Sequence, residues 1–456
     1  RGFLMKVVIV GCGKVGKTIA EELVKENHDI ILIDENAELV EDVSNSLDII
    51  GVVGNGTSLN ILKEAGIETA DVLIAVTSAD EINMLCCLFA KKANKDLKTI
   101  ARVRNPIYSS ELSYIKDELG LTMTINPEMI TAREISRLIR WPSALKVDSF
   151  IRGNVELISF AVNGNKKLVD KSLAQIKKTY SEDILFVGIE RNKEAIIPNG
   201  ETVILDGDKV SVCATPAVAS KFLDKIGIYQ SPIKNCFIVG GSDIAFYLAS
   251  ILQKSNIDVA IMDMDPKRCD YLSINLPYAS IINGCASDDN VLIEEGLPEC
   301  DSFCSLTGID EENVILSLYA KSASKAKVIT KVNHISYESV LNNLDVGALV
   351  SPKNITANSI IAYIRALANS GENEVETMHR ILNGKAEALT FVIREKTKSI
   401  GVTLEKLKTK DNLLICLIIR GNQIIVPSGK DKIEIGDTVL VVTTHQGFNT
   451  IEDITK

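Results

Sequence analysis

Apolar runs of four or five residues alternate with stretches of helical periodicity along the first 140 residues. Val7-Val8-Ile9-Val10, Ile31-Leu32-Ile33, Ile49-Ile50-Gly51-Val52-Val53, Ala70 to Val76 and Thr99 to Val103 predict strands, while Lys17 to Asn27 and Thr57 to Ala65 predict helices between them. Strands spaced by helices imply right-handed crossovers and a parallel sheet covered on both faces, a doubly wound α/β fold. Pro106 to Gly120 and Pro127 to Arg140 read as two more helices. The second carries Met129, Ile130, Ile135, Leu138 and Ile139 on a broad apolar face, which must be buried either in its own core or by exchange with a neighbouring subunit.

The texture changes after Trp141-Pro142. Glu156 to Val162, Ile184 to Glu190, Ala195 to Ile197 and Lys209 to Val212 are short strands punctuated by Asn163-Gly164-Asn165 and Asp206-Gly207-Asp208, which predicts a small α+β subdomain. The pattern then starts again. Gly11 and Asp34 match Gly240 and Asp263 at a shift of 229; Thr77, Asp80, Glu81 and Asn83 match Thr307, Asp310, Glu311 and Asn313 at 230; Pro127, Thr131 and Ala132 match Pro352, Thr356 and Ala357 at 225. Ile197-Pro198-Asn199-Gly200 with Gly207-Asp208 matches Val426-Pro427-Ser428-Gly429 with Gly436-Asp437. The period is domain-sized, so the chain is one unit doubled, not a solenoid. The expected divisions are a Rossmann-like domain over 5–142, a subdomain over 143–228, a second Rossmann-like domain over 233–370 and a second subdomain over 371–456, its strands roughly Ala388 to Thr444.

The first glycine turn carries the chemistry. In Val10-Gly11-Cys12-Gly13-Lys14-Val15-Gly16, Gly11 permits a tight turn, Gly13 lets the backbone approach a diphosphate, and Gly16 allows the helix to pack near the strand. The helix N-terminus offers N–H groups and a positive dipole to phosphate. Asp34, eighteen residues beyond Gly16, can accept from ribose hydroxyls, and Glu35 beside it repels a 2′-phosphate, which favours NAD over NADP. ATP and ADP present the same hydroxyls, so the motif does not separate dinucleotides from mononucleotides. Arg102 and the Thr77-Ser78 pair, at later strand ends, face either nucleotide contacts or plain surface and capping roles.

In the second copy, Phe237 to Val239 lead into Gly240-Gly241-Ser242-Asp243-Ile244-Ala245. Ser242 and Ala245 stand for the latter two glycines, and Asp243 stands where phosphate is expected. Gly240, Ser242, Asp263 and Lys331 are retained as candidate contacts, which favours a weaker or differently selective site over a dead one.

Composition narrows the alternatives. With 456 residues, 46% hydrophobic and a net charge of −10, the chain suits a well-packed protein with no general basic surface, which disfavours nucleic acid. The longest apolar run, Leu413 to Ile419, is too short for the roughly 20 residues of a membrane span. Arg1 to Leu4, before Met5, resemble a vector remnant, and no secretory signal is expected. Ten cysteines without a C-x-x-C pair read as reduced core residues of a cytosolic protein, Cys300 and Cys304 included, so no metal site is expected. His28, His334, His379 and His445 lie in dissimilar contexts and read as structural. No set of residues for nucleophilic or acid-base catalysis emerges, and no catalytic residue is expected.

The glycine turn, Asp34, Gly54-Asn55-Gly56-Thr57, the Ala75 to Asn83 segment, Arg102 and the Ile197 to Asp208 ending together resemble the TrkA family. These are the regulatory subunits of Trk-type potassium uptake systems, built from tandem RCK (regulator of potassium conductance) units, and the resemblance covers Met5 to Lys456. It implies nucleotide contacts at Gly11, Cys12, Gly13, Lys14, Val15, Asp34, Thr77, Ser78 and Arg102. It also implies NAD/NADH and ATP/ADP as regulatory ligands that are not consumed. Self-association through the RCK units into a ring, as a homotetramer, and docking on a TrkH-like potassium-translocating membrane subunit follow from the same resemblance. So does a cytoplasmic location, peripheral to the inner face of the membrane. The competing readings are an NAD-dependent oxidoreductase and an RCK regulator of another potassium channel or antiporter.

Overall fold

β1 (Lys6–Val10) is apolar on both faces and buried throughout its last four residues, as a central strand of a parallel sheet must be. It opens α1 (Lys14–Lys25), β2 (Asp29–Asp34), α2 (Ala37–Leu47), β3 (Ile50–Val53), α3 (Leu59–Glu64), β4 (Val72–Ala75), α4 (Asp80–Ala93), β5 (Lys98–Arg102), β6 (Met123–Ile125) and α5 (Pro127–Arg140). The six strands form one parallel sheet in the order β3-β2-β1-β4-β5-β6, the doubly wound arrangement read from the sequence. The computed structural model describes residues 4–456 except 106–107, 109–110, 112–113, 115, 151–154, 181–183, 193, 229–231, 334–343, 345, 369–374, 383 and 422. The helix expected over 106–120 therefore falls partly outside the described residues, and His334 wholly so.

The first subdomain follows with β7 (Lys146–Phe150), β8 (Val155–Ala161), α6 (Leu173–Tyr180), β9 (Leu185–Arg191), β10 (Glu194–Ile196), β11 (Lys209–Ala214) and α7 (Pro216–Ile226). Its sheet is antiparallel, ordered β10-β9-β11-β8-β7. The second half repeats both parts: β12 (Asn235–Val239), α8 (Asp243–Gln253), β13 (Asp258–Asp263), α9 (Pro266–Asn275), β14 (Ser280–Asn283), α10 (Asp289–Glu294), β15 (Ser302–Ser305), α11 (Asp310–Ala323), β16 (Lys327–Lys331), β17 (Ala348–Val350) and α12 (Pro352–Ala368). Then come β18 (Val375–Ile381), β19 (Ala386–Val392), β20 (Leu413–Arg420), β21 (Gln423–Ile425) and β22 (Thr438–Thr443). The sheet orders β14-β13-β12-β15-β16-β17 and β18-β19-β22-β20-β21 reproduce those of the first half.

A single ion pair accounts for the shared Gly-Asp motif of the subdomains. Asp208, almost fully buried, accepts two hydrogen bonds from Arg191 (2.9 and 2.7 Å) and one from the backbone N–H of Leu205. Asp437 does the same with Arg420 (2.9 and 2.9 Å) and Glu434 N–H. The second subdomain differs in its helices. Where α6 and α7 stand in the first, short 3-10 turns occupy Leu404–Lys406 and Ile451–Ile454. Pro216 starts α7 with the φ that a first helical turn needs, whereas the second copy has no proline there and places Gly447 at φ +78°.

The chain divides into two compact units that do not coincide with the sequence halves. One combines residues 1–130 with 352–370; the other holds 131–351 and 371–456. Within the first unit α12, a helix of the second half, packs against α1. The face of α12 that packs there is thus covered by the other half of the same chain. Within the second unit the two subdomains share one core, where Phe150, Leu157 and Cys213 meet Ala388, Cys416 and Leu440.

Candidate functional site

The residues singled out in the first half converge at the C-terminal edge of its parallel sheet. β1 lies between β2 and β4, where the strand order reverses, which is where such sheets open a crevice for ligands. Gly11 N–H bonds to Ile33 O (2.8 Å), and Cys12 N–H bonds to Asp34 Oδ2 (2.6 Å), so β2 holds the turn from one side. Asp34 Oδ1 accepts from Asn36 N–H (2.9 Å). The aspartate expected to read ribose therefore also shapes the glycine turn.

The three glycines are required for different reasons. Gly11 has φ +110°, and a Cβ there would lie 3.1 Å from the backbone of Val76 and Thr77. A Cβ on Gly16 would stand 1.9 Å from Gly11 O. Gly13 has neither constraint: its φ of −63° suits any residue, and an added Cβ would meet nothing within 4 Å. Gly13 is the N-cap of α1, yet no side chain caps that helix and no acidic residue occupies its first turn. Lys14 and Val15 follow it into the helix, Lys14 exposed. Free backbone donors, a basic side chain and open space thus coincide, a combination suited to an anion.

Thr77 and Arg102 are tied together by a residue to which the sequence assigned no role in the site. Asn83, fully buried in α4, accepts from Thr77 N–H (2.8 Å) and Thr77 Oγ1 (2.7 Å), and donates to the carbonyls of Thr77 (3.3 Å) and Arg102 (3.0 Å). Ser78 offers its carbonyl to Arg104. The Arg102 guanidinium is paired with Glu128 Oε1 (3.1 Å), which fixes it at the end of β5. The equivalence of Asn83 and Asn313 in the repeat was the signal for this clamp, since the second copy rebuilds it: Asn313 accepts from Thr307 N–H (2.9 Å) and donates to the Thr307 and Lys331 carbonyls.

The second glycine turn is closed by its own side chains. Gly240 keeps φ +96°, and Gly241 N–H bonds to Asp263 Oδ2 (2.6 Å), as in the first copy. Ser242, in place of Gly13, caps α8 by accepting from Ala245 N–H (3.5 Å). Asp243, in place of Lys14, pairs with Arg268 Nη2 (2.8 Å), and Arg268 Nε donates to Gly241 O while its guanidinium lies over the Tyr271 ring. Lys331 is buried at the end of β16.

The cysteines and histidines are mostly held inside the fold. Burial, helped by the Asp34 carboxylate, pushes the Cys12 thiol up to about 12, and nine of the ten cysteines are buried, Cys300 and Cys304 among them. His28 accepts from Met5 N–H, His379 stacks at a tilt on Phe150, and His445 Nε2 contacts Asp411 O. Among the described residues no group of three or more His, Cys, Asp or Glu could hold a metal, and no helix is long and apolar enough to cross a membrane.

Comparison with known proteins agrees with this duplicated architecture. The TrkA-N domain family matches residues 7–127 and 236–352, and the TrkA-C domain family matches 157–227 and 389–456. The Trk system potassium uptake protein TrkA of Halomonas elongata is 31% identical over 442 residues, covering 96% of this chain and 95% of that protein. A TrkA homolog of Archaeoglobus fulgidus is 32% identical over 451 residues, covering 99% of this chain and all of its own. Among solved structures, the GsuK channel bound to NAD is similar in fold, with a TM-score of 0.62 at 16% identity over 99% of this chain and 77% of that one. The GsuK RCK domain gives the same TM-score and identity, with 93% of its chain covered. With both domain types matched twice in tandem and relatives spanning nearly its whole length, the chain belongs to the TrkA family of Trk system potassium uptake proteins, a family of transport components and not of enzymes.

Proposed function

We propose that this chain is a nucleotide-sensing cytoplasmic regulatory subunit that controls potassium uptake through a TrkH-like membrane subunit. The observation that carries the ligand assignment is Gly13, a glycine that neither φ nor packing requires, set in open space at the uncapped start of α1. A bound diphosphate supplies the reason for it. Gly11 to Gly16 receive the phosphates, Asp34 the ribose, and Thr77, Ser78 and Arg102 line the opposite side. NAD/NADH and ATP/ADP all present the required groups, and the similarity in fold to an RCK channel bound to NAD supports the same choice. The second copy, with Gly240, Ser242, Asp263 and Lys331, binds more weakly, because Asp243 and Arg268 occupy the space before α8.

Self-association into a homotetrameric ring is supported by the surface of α4. Ile82, Leu85 and Phe89, spaced to fall on one helix face, are all exposed. Nucleotide then acts by linkage: it favours one arrangement of the ring, and the ring favours the open or closed transporter by the difference in binding energy, for which about 1 to 3 kcal/mol suffices. ATP or NADH supports the active form and ADP the inactive one. The test is potassium flux through a TrkH-like partner reconstituted with this chain. Flux that responds to these nucleotides with wild-type protein and not with Gly13→Asp supports the proposal; flux indifferent to all of them overturns it.

A further inference from the structure

The two subdomains meet at residues that are each other's equivalents. The matched pairs Arg191–Asp208 and Arg420–Asp437 align β11 with β22, so that Cys213 corresponds to Val442. Cys213 pairs across the sheet with Leu157, and Leu157 with Asp148; Val442 pairs with Ala388, and Ala388 with His379. Asp148 and His379 therefore hold the same place in the two subdomains, and they touch, with His379 Nδ1 3.6 Å from Asp148 Oδ1. A position that contacts its own equivalent lies on the two-fold axis relating the two copies. The repeat is symmetric there in backbone and asymmetric in chemistry.

We propose that Asp148 and His379 decide which subdomains pair. The contact admits the first and second subdomains of one chain and rejects two copies of the same subdomain from different chains. Asp148 is buried, with Lys146 Nζ 3.2 Å away, and Phe150 packs on the His379 ring. Lys146 also reaches the Arg380 carbonyl across the contact. Two first subdomains brought together the same way would set Asp148 against Asp148, next to Glu134, with both carboxylates out of water. Two second subdomains would set His379 against His379 with no acid between them. Shape adds to charge: Leu382 sits over Gly188, where a Cβ would come within 2.7 Å of Leu382 Cδ1, and the equivalent of Gly188 in the second subdomain is Leu417. Association between chains is thereby left to other surfaces.

The test uses full-length chains carrying Asp148→His, His379→Asp, or both, with Tm read by calorimetry. Each single exchange should lower Tm by about 5 °C or more, and the double exchange should recover at least half of the loss. Co-expression of the two single variants under different tags should recover none, because acid and histidine would then complement each other only between chains. Recovery on co-expression would show that subdomains pair across chains. A double exchange no better than the singles would show that the contact does not choose its partner. Either result overturns the proposal. Should a single variant fail to fold, folding regained by the double exchange is the same test.

Discussion

At the scale of single residues, the two glycine turns form an internal experiment, since one backbone carries two chemistries. Gly11 and Gly240 are fixed by positive φ in both copies, so they report architecture. Gly13 and Ser242 differ where architecture is indifferent. Gly13→Ser should therefore change stability by no more than about 0.5 kcal/mol, with a slight gain from capping, while nucleotide affinity falls about tenfold or more. Thermal denaturation alongside ligand titration checks both. Asp34 and Asp263 make the same bond to their turns, at 2.6 Å each. Asp34→Ala and Asp263→Ala should each cost about 1–2 kcal/mol of stability, yet only the first should sharply reduce nucleotide binding. Equal losses of affinity would contradict the ranking of the two copies.

At the scale of elements, α1 connects the proposed ligand site to the second half of the chain. Its start is the glycine turn; its end, Glu26, accepts two hydrogen bonds from Arg365 of α12 (2.9 and 2.6 Å), both side chains being largely buried. The equivalent of Glu26 is Ser255, so the second copy cannot repeat this pair. Arg365→Ala leaves Glu26 without this buried partner and should destabilise the protein by about 3 kcal/mol, measurable by denaturant titration. His28 lies beside the pair, its Nε2 3.9 Å from Glu26. Burial holds its pKa below the ordinary 6.5; Glu26 and Asp71 oppose that and Arg365 reinforces it. A histidine whose folded pKa is depressed contributes fully above about pH 6.5, and its contribution is lost as pH falls from there through the folded value. The drop in Tm between about pH 7.5 and about pH 5.5 should accordingly be smaller in His28→Gln than in the wild type. An identical drop would remove His28 from the pH dependence.

Much of this element layer was legible, because buried parallel strands and amphipathic helices write strong periodicities. β1, β4, α5 and β20 stand where the pattern puts them. Short edge strands were not: β6, β7, β17 and β18 carry too few residues, or too many polar ones such as Lys146, Asp148 and His379, to announce themselves. α1 begins at Lys14, not Lys17, because the turn feeds the helix directly. The motif positions of the candidate site were readable as spacing, whereas the Asn83 clamp, the Glu128 partner of Arg102 and the Arg268 plug depend on contacts between residues far apart in sequence. The destination of α12 was equally hidden, since an apolar face states that it must be buried and not against what.

At the scale of the whole molecule, duplication with divergence is the organising fact. One half keeps an open turn and the charged end of α1; the other keeps the fold and fills the turn with its own side chains. Both subdomains retain the Arg-Asp pair while diverging at the axis where they meet. The proposed function therefore assigns nucleotide sensing mainly to the first half, whose α1 is held at its far end by α12 of the second. The most direct test of that account is calorimetric titration of the full-length protein with NADH, NAD, ATP and ADP, beside Asp34→Ala, with the ligands analysed afterwards. The expected result is saturable binding that Asp34→Ala weakens about tenfold or more, with ligand recovered unchanged. Binding that persists in Asp34→Ala, nucleotide converted to product, or no binding at all would contradict it.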